Sequence, residues 1–401
     1  MARSASEEPL LPLLELKSSE KLAETHQHDD ATFIRTCFNG LNALSGVGLL
    51  SIPYALSQGG WLSLLLLFIV AMICCYTGLL LQRCMNADPR IRTYPDIGEF
   101  AFGYSGRIFV SIFMYLELYL VAIGFLILEG DNLDKLFPDT RLTVGTVSIA
   151  SKQLFVMLVA LIILPTTWLR SLGVLAYVSA GGVLASVIVV FSVLWAATVD
   201  GVGFGERGRF SNLSGLPTAL GLYTFCYCGH AVLLLCFITC TLNYGSMAIL
   251  GYLMYGDSVN SQVTLNLPTG KLSSKVAIYT TLINPFSKYA LMIAPVATAI
   301  EERLITVNKR SPMLLIRSLV VLSTVVIALT IPFFGSLMAL IGSLLSIIVS
   351  MMLPCICYIK IFGASQVRKV ELVLISGILL TGSLVAVTGT YSSLKEIIHQ
   401  L

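Results

Sequence analysis

Charged residues are scarce in this sequence. Lys, Arg, Asp and Glu make up 12% of its 401 residues, whereas hydrophobic residues make up 56%, and the mean hydropathy is +0.86. A soluble domain carries about 25% charged residues. A chain of this length has too little polar surface to cover a large water-facing core, so the composition excludes an ordinary soluble protein.

Other signals are also missing. Basic residues form no patch interleaved with aromatic residues, so nucleic acid is not an expected partner. The four histidines and ten cysteines show no zinc-ligand spacing, so no metal or other cofactor is expected. We interpret the cysteines, which lie almost all in apolar runs, as small buried side chains. The alternative for the "CYC" triplet at 226–228 is a redox or metal pair.

The N-terminal stretch is polar and acidic. It contains no basic segment followed by an apolar core, so no cleavable signal peptide is expected. We interpret residues 1–32 as a flexible cytosolic tail and residues 33–401 as one transmembrane domain.

Apolar runs follow one another through the rest of the chain. Each is close to the ~20 residues that a helix needs to cross a bilayer. They predict an all-α polytopic membrane protein with eleven spans. The runs cover about residues 33–56, 62–85, 107–129, 153–169, 172–198, 213–230, 232–255, 275–300, 313–333, 335–360 and 370–391.

The loops between these runs alternate in charge. The second, fourth, eighth and tenth loops carry Arg or Lys, whereas the third is acidic on balance and the ninth is uncharged. Loops with excess positive charge stay in the cytosol. The pattern therefore places the N-terminus in the cytosol and the C-terminus on the far side of the membrane.

Helix-breaking residues interrupt the first run, which continues as "SGVGLLSIPYALSQGGW" from residue 45. Gly46, Gly48 and Pro53 lie mid-span, close to the small polar residues Asn42 and Ser45. Membranes tolerate a broken helix only where the freed backbone is buried in protein or lines a cavity. Such backbone can bind an ion or the ends of a zwitterion. The alternative is a kink whose backbone groups are satisfied by neighbouring helices.

A second interruption lies in the sixth run, in "GLYTFCYCGHAV" at 221–232. Transporters with inverted repeats carry broken helices at matching places in both repeats. We therefore predict that runs one to five and runs six to ten form two inverted repeats, with the eleventh run added.

Four motifs carry a resemblance to a known family: "NALSGVGLLSIPYALSQGGW", "YLELYLVAIGFLILEGDNLDKLFP", "FCYCGHAV" and "NPFSKYALMIAP". Over residues 32–391 the chain resembles the amino acid/auxin permease family, and within it the plant vacuolar neutral amino-acid transporters. The resemblance implies a LeuT-like fold of 5+5 helices plus an eleventh, amino-acid substrates, proton coupling and a vacuolar membrane.

The resemblance also implies a substrate site between the two broken helices. The unwound part of the first helix, about Ser45 to Leu49, would hold the backbone of the substrate, and Phe225 to His230 would face it. The predicted substrate-binding residues are Asn42, Ser45, Gly46, Val47, Gly48, Phe225, Tyr227, Gly229 and His230.

Three ionisable residues, Glu117, Lys288 and His230, lie at membrane depth, where a charge costs ~2.5–3.5 kcal/mol or more. His230 titrates near neutrality; the alternative is a packed neutral imidazole. Glu117 is the predicted proton carrier; the alternative is a structural hydrogen bond. Lys288 is the predicted fixed charge near the first helix, in place of the ion that sodium-coupled relatives hold; the alternative is a fixed structural partner. Further helix breaks are predicted at Pro53 and at Asn284-Pro285.

The sequence departs from the family pattern at one place. "GHAV" runs directly into "LLLCFITCTLNYGSMAILGYLMYG", so the second half of the sixth helix and the following loop, roughly twenty residues, are missing. Two functions follow: a proton-coupled transporter of neutral amino acids in an intracellular membrane, or a transport-defective member of this fold that acts as a binding or regulatory protein. No motif supports an intramembrane enzyme.

Overall fold

The computed structural model describes residues 41–42, 46–144, 147–168, 175–228, 234–304 and 310–400. The predicted tail, most of the first half of the first run, and the predicted site residues Ser45, Gly229 and His230 lie outside this part.

The described residues are helical almost throughout, as their long apolar runs predict. The helices are α1 (Gly48–Gly59), α2 (Ser63–Met85), α3 (Tyr94–Phe102), α4 (Tyr104–Leu136), α5 (Ser151–Thr167), α6 (Leu175–Thr198), α7 (Leu216–Cys226), α8 (Leu234–Tyr255), α9 (Leu272–Leu304), α10 (Arg310–Thr330), α11 (Phe334–Leu340), α12 (Leu353–Phe362) and α13 (Lys369–Gln400).

Short irregular elements connect some of these helices. Strands β1 (Leu142–Val144) and β2 (Val147–Ile149) form an antiparallel hairpin between α4 and α5. Two π-helical stretches, Ile341–Ser346 and Ile348–Met352, join α11 to α12. Single-turn π segments are frequent at functional sites.

Seven helices of the described part are long and apolar enough to cross a bilayer. They are Ser63–Met85, Tyr104–Leu136, Gly181–Thr198, Cys236–Ser258, Ser311–Thr330, Phe334–Phe362 and Lys369–Gln400. Two shorter apolar helices, α5 and α7, coincide with the fourth and sixth predicted runs. The chain is therefore a helical protein of the membrane type, as its composition predicts.

One group of helices consists of α1, α2, α7 and α8. The Ser63 hydroxyl of α2 lies 2.9 Å from the Tyr223 hydroxyl of α7. Helices α1 and α8 approach closely at Gly251, where an added Cβ would lie 2.6 Å from the Cβ of Pro53. Only glycine permits this approach, which brings the backbone of α8 against the Pro53 ring.

A second group consists of α4, α5, α9 and α10. The hydroxyl pairs Tyr119–Ser323 and Tyr289–Thr324 join α4 to α10 and α9 to α10, at 2.7 and 2.6 Å. The buried Arg317 of α10 pairs with Glu301 of α9 at 2.7 Å and donates to the carbonyl of Thr167 at the end of α5. Helix α6 packs against α9 of this group and α8 of the first.

The predicted helix breaks at Pro53 and at Asn284-Pro285 are wrong. Helix α1 continues through Pro53, and α9 is continuous from Leu272 to Leu304 with Pro285 inside it. Each proline removes a single N–H donor, and packing against neighbouring helices holds the remaining ladder in place. The unwound part of the first helix is also shorter than predicted, because Gly48 and Leu49 already belong to α1.

Candidate functional site

A cavity of about 450 Å³ lies between the two helix groups. Ligand sites typically measure about 300–1,000 Å³. Its walls come from the start of α1, from α4, α7 and α9, and from the second π-helical stretch. Met85, Arg92 and Tyr94 also line it, so the cavity extends towards the segment that joins α2 to α4.

Six of the predicted site residues line this cavity together. They are Gly46, Val47, Gly48, Glu117, Phe225 and Lys288. These residues come from four places in the sequence up to 242 positions apart, and the fold brings them to one enclosed space.

The start of α1 and the end of α7 meet at the cavity. A Cβ added to Gly48 would lie 2.7 Å from the Sγ atom of Cys226, so the two helix ends touch. A helix start leaves N–H groups unpaired and a helix end leaves C=O groups unpaired. Their partial charges suit an anionic and a cationic group respectively. The two helix ends therefore present complementary partial charges to the cavity.

Glu117 of α4 connects three parts of the site. Its side chain is 7% exposed, and the Ser346 hydroxyl of the first π-helical stretch donates a hydrogen bond to it at 2.5 Å. Cys228, just beyond α7, lines the same cavity and lies beside this carboxyl group. Glu117 therefore contacts the second helix break directly.

Lys288 of α9 contacts the first helix break. Its ammonium group is 3% exposed and donates a 2.5 Å hydrogen bond to the backbone carbonyl of Asn42. This carbonyl belongs to the segment that precedes α1. Lys288 therefore has a fixed structural partner, the alternative that the sequence analysis gave for it, and the Asn42 carbonyl beside the first break is this partner.

Other predicted residues lie outside the large cavity. Asn284 and Pro285 line a separate space of about 20 Å³ on the other side of Val47, large enough for about one water molecule. Asn42 contributes its carbonyl to Lys288 but is not part of the cavity wall.

Tyr227 is likewise directed away from the cavity. Its hydroxyl donates to Thr241 at 3.0 Å, and its ring packs against Phe237 and Tyr244 of α8. The reason is geometric: the chain leaves the helix at Cys226, and the next side chain turns towards α8. The prediction that Tyr227 lines the substrate site is not met by this arrangement.

The sequence analysis missed the contribution of the π-helical stretches. The freed carbonyls of Val349 and Ser350 accept hydrogen bonds from Tyr94 and Thr77, at 2.6 and 2.7 Å. A signal was present, since small polar residues recur at helical spacing in an otherwise apolar run, at Ser343, Ser346 and Ser350.

Cys226 and Cys228 are free thiols, and the described residues contain no cluster of His, Cys, Asp and Glu that could hold a metal ion. The two thiols serve different contacts, because Cys226 packs against Gly48 and Cys228 faces Glu117.

The family model described as transmembrane amino acid transporter protein matches residues 29–235 and 232–395. The chain belongs to this family. It is 51% identical to "Amino acid transporter AVT1I" of Arabidopsis thaliana over 387 residues, which cover 92% of this chain and 96% of that protein. It is 49% identical to "Amino acid transporter AVT1J" of the same plant, with 94% of each chain covered. The family is one of transporters and not of enzymes.

The family match is divided into two pieces at the shortened sixth run. The two matched pieces meet at residues 232–235, directly after "FCYCGHAV". The alignment with AVT1I has 387 positions, whereas 92% of 401 residues is about 369, so about 18 positions have no residue in this chain. This difference is close to the roughly twenty residues expected to be missing.

Proposed function

We propose that this chain is built as a secondary active transporter that couples the movement of neutral amino acids to protons. The observation that carries the proposal is the single cavity at which both helix breaks, Glu117 and Lys288 meet. Helix ends supply complementary partial charges for a zwitterion, and the two ionisable side chains supply groups that can respond to a proton.

A LeuT-like arrangement of 5+5 helices with an added eleventh is part of this proposal. Helix α1 begins and helix α7 ends at the cavity, and these two helices, first in each proposed repeat, pack against each other. The two helix groups contain corresponding members of both repeats: α1 and α2 with α7 and α8, and α4 and α5 with α9 and α10. Transporters of this type move such groups against each other around a central site.

The cavity wall favours neutral substrates. Apart from the helix ends it is largely apolar, with Met114, Val121, Phe125 and Phe225 among its residues. Both buried ionisable groups in the wall already have partners within the protein, Glu117 with Ser346 and Lys288 with the carbonyl of Asn42. Neither offers an unpaired charge to an acidic or basic side chain of a substrate.

Glu117 is the proposed proton carrier. It lies in the cavity wall, accepts a hydrogen bond from Ser346 and lies beside Cys228, which follows α7 of the other helix group. Protonation would change these contacts, and with them the contact between the groups. Lys288 holds the first break in place on the opposite side.

The membrane and the orientation are also proposed. The resemblance favours a vacuolar membrane, and the loop charges place residues 86–106 and 301–312 in the cytosol. With this orientation the cavity opens to the cytosol. Single cysteines at Ser105 and Ser311, both exposed, should react with a membrane-impermeant thiol reagent from the cytosolic side only. Labelling from the far side would reverse the orientation.

The alternative is a transport-defective member of the fold that acts as a binding or regulatory membrane protein. The discontinuity in the family match at residues 232–235 favours it, because half of a helix that should complete the site is missing. Binding of an amino acid needs the cavity alone, whereas transport also needs a cytosolic gate.

A flux assay distinguishes the two functions. Purified protein in lipid vesicles is offered a panel of radiolabelled amino acids, with and without a pH gradient, beside AVT1I reconstituted in the same way. Proton-driven uptake of neutral amino acids supports the transporter. Saturable binding without uptake supports the alternative, and absence of both contradicts the proposed site.

A further inference from the structure

Glu129 of α4 is a second buried carboxyl group, which the sequence analysis took as the end of the third run. Helix α4 continues seven residues beyond it, to Leu136. The side chain of Glu129 is 0% exposed, and neither of its carboxylate oxygens has a hydrogen-bond partner among the described residues. An ionised carboxylate without a partner is very costly to bury.

The position of Glu129 relates it to the transport site. It lies one helical turn beyond Phe125, on the side of α4 that lines the cavity, because residues four apart share a helix face. It is twelve residues past Glu117, which corresponds to about 18 Å along the helix. Glu117 lines the cavity, whereas Glu129 does not.

A polar cluster lies immediately beyond Glu129. Asn132 donates to Gln262 at 2.6 Å, and Gln262 donates to Asp131 at 2.9 Å. Asp131 also forms an ion pair with Lys152 of α5. Gln262 belongs to the segment that follows α8, so this cluster joins the two helix groups at the end of the cavity opposite its mouth.

The elements packed against α4 offer no described partner for the Glu129 carboxyl group. The segments Val263–Leu265 and Phe334–Met352 contain no ionisable side chain. The one charged residue of α5, Lys152, is paired with Asp131.

Charges on the remaining neighbours of α4 are also engaged. On α9 Lys288 binds the Asn42 carbonyl, and Glu301 pairs with Arg317 of α10. On α3 the acidic residues Asp96 and Glu99 pair with Arg107. The other described charged side chains of α9, Lys275, Glu302 and Arg303, are exposed.

We propose that Glu129 is a proton-binding site that holds its proton in the cytosol-open conformation and exchanges it with water on the far side when the Asn132–Gln262 contact separates. The ligand is a proton, and its release breaks the O–H bond of the carboxylic acid and leaves a carboxylate in contact with water. The role in transport rests on the proposed proton coupling. The protonated state does not, because it follows from burial and from the missing partner.

Infrared spectroscopy of the reconstituted full chain tests the protonated state. At neutral pH the wild type should show the carbonyl stretch of a protonated carboxylic acid, and Glu129→Gln should lose that band. Glu302→Gln, at an exposed position of α9, is the matched control and should leave the band unchanged. An inserted Glu129→Gln protein with an unchanged spectrum would overturn the proposal.

Glu129→Asp covers the case in which the glutamine variant does not insert. It keeps an acid at the position, so the band should remain but shift in frequency. In a Glu117→Gln background, which removes the other buried carboxyl group of α4 that can carry a proton, a band that stays at its frequency when Glu129 becomes Asp belongs to another residue and overturns the proposal.

The transport role is measured separately, in any version of the chain that takes up amino acids. Glu129→Gln should flatten the dependence of uptake on far-side pH while uptake without a gradient persists. A normal far-side pH dependence would remove Glu129 from transport. If the infrared band is present but wild-type uptake ignores pH, the proposed proton coupling fails and the proton site remains.

Discussion

The two helix breaks that meet at the cavity differ in the length of the segment that follows each of them. The first break is followed by a full half-helix, α1, of 12 residues. The second is preceded by a half-helix of similar length, α7, of 11 residues, but after Cys228 only five residues remain before α8 begins at Leu234. Five residues are too few to form a half-helix of that length.

The shortened region does not displace the break itself. The Tyr244 hydroxyl of α8 donates to the carbonyl of Cys226 at 3.2 Å, and Tyr227 bonds to Thr241 of α8. The end of α7 is therefore at the level of Thr241 to Tyr244. The start of α8 lies ten residues, or about 15 Å, from that level. A stretch of five residues, the number between Cys228 and Leu234, can reach at most about 18 Å, which is enough to cover this distance.

Phe225, Cys226 and Cys228 thus stay in the cavity wall. Helix α8, with 22 residues, is about 33 Å long and crosses the hydrocarbon core unaided. We propose that a complete half-helix would pack beside Cys228 and close the cavity. On this proposal binding and gating are separable in this chain, which the following variants test.

Inserting the missing segment should have the largest effect. In a chimera, the segment that this chain lacks is taken from AVT1I and inserted after His230. We expect the unmodified chain to insert but to take up neutral amino acids poorly or not at all, and the chimera to show proton-driven uptake. Uptake per inserted molecule in vesicles is the measurement.

A linker of equal length made of glycine and serine is the control, since it restores length without a helix. Comparable rates in the unmodified chain and in AVT1I would show that the second half of the helix is dispensable. Equal rescue by the linker would show that chain length matters and helical structure does not.

Lys288→Met tests the intact break. The variant keeps an apolar chain of similar length but leaves the Asn42 carbonyl without its donor. A hydrogen bond to a charged group contributes about 1.5–3 kcal/mol, so substrate affinity should fall roughly ten- to hundredfold. Binding of a radiolabelled amino acid to detergent-solubilised protein measures this even if the unmodified chain does not transport. Unchanged affinity would limit Lys288 to a role outside substrate binding.

Glu117→Gln tests two roles of this residue: its contacts near the second helix break and its binding of a proton. Glutamine keeps the shape and can still accept from Ser346, but it cannot release a proton at membrane depth. In the chimera, uptake should lose its dependence on the pH gradient while exchange of substrate across the membrane continues. Ser346→Ala removes one donor and should shift the pH profile without abolishing it. Uptake that still follows the gradient in Glu117→Gln would exclude this residue as the carrier.

Local chemistry explains which features could be read from the sequence. Each of the eleven predicted runs overlaps a described helix, because length and apolar composition are properties of the segment itself. The breaks beside Gly46 and after Cys226 also have local causes. The breaks predicted at Pro53 and Pro285 are wrong, because packing keeps a helix continuous where the sequence alone suggests a break. The contact of Gly251 with the Pro53 ring is an example of such packing.

Depth within the fold could not be read in this way. Glu129 occurs at the end of an apolar run, so the sequence places it near the membrane surface, but α4 extends to Leu136 and buries it completely. The π-helical stretch before α12 leaves no periodic pattern in an apolar run, so it cannot be recognised from the sequence. Both features depend on contacts between distant segments, such as the hydrogen bond between Ser346 and Glu117.

Tyr227→Phe should have the smallest effect and refines the boundary of the second break. The substitution keeps the ring against Phe237 and Tyr244 but removes the hydrogen bond to Thr241, which contributes about 1 kcal/mol to stability. The melting temperature of the solubilised protein should fall slightly, and substrate affinity should stay the same. Phe225→Ala, at a position that lines the cavity, is the matched comparison and should weaken binding. A loss of affinity in Tyr227→Phe that equals the loss in Phe225→Ala would return Tyr227 to the substrate site, as the family resemblance implied.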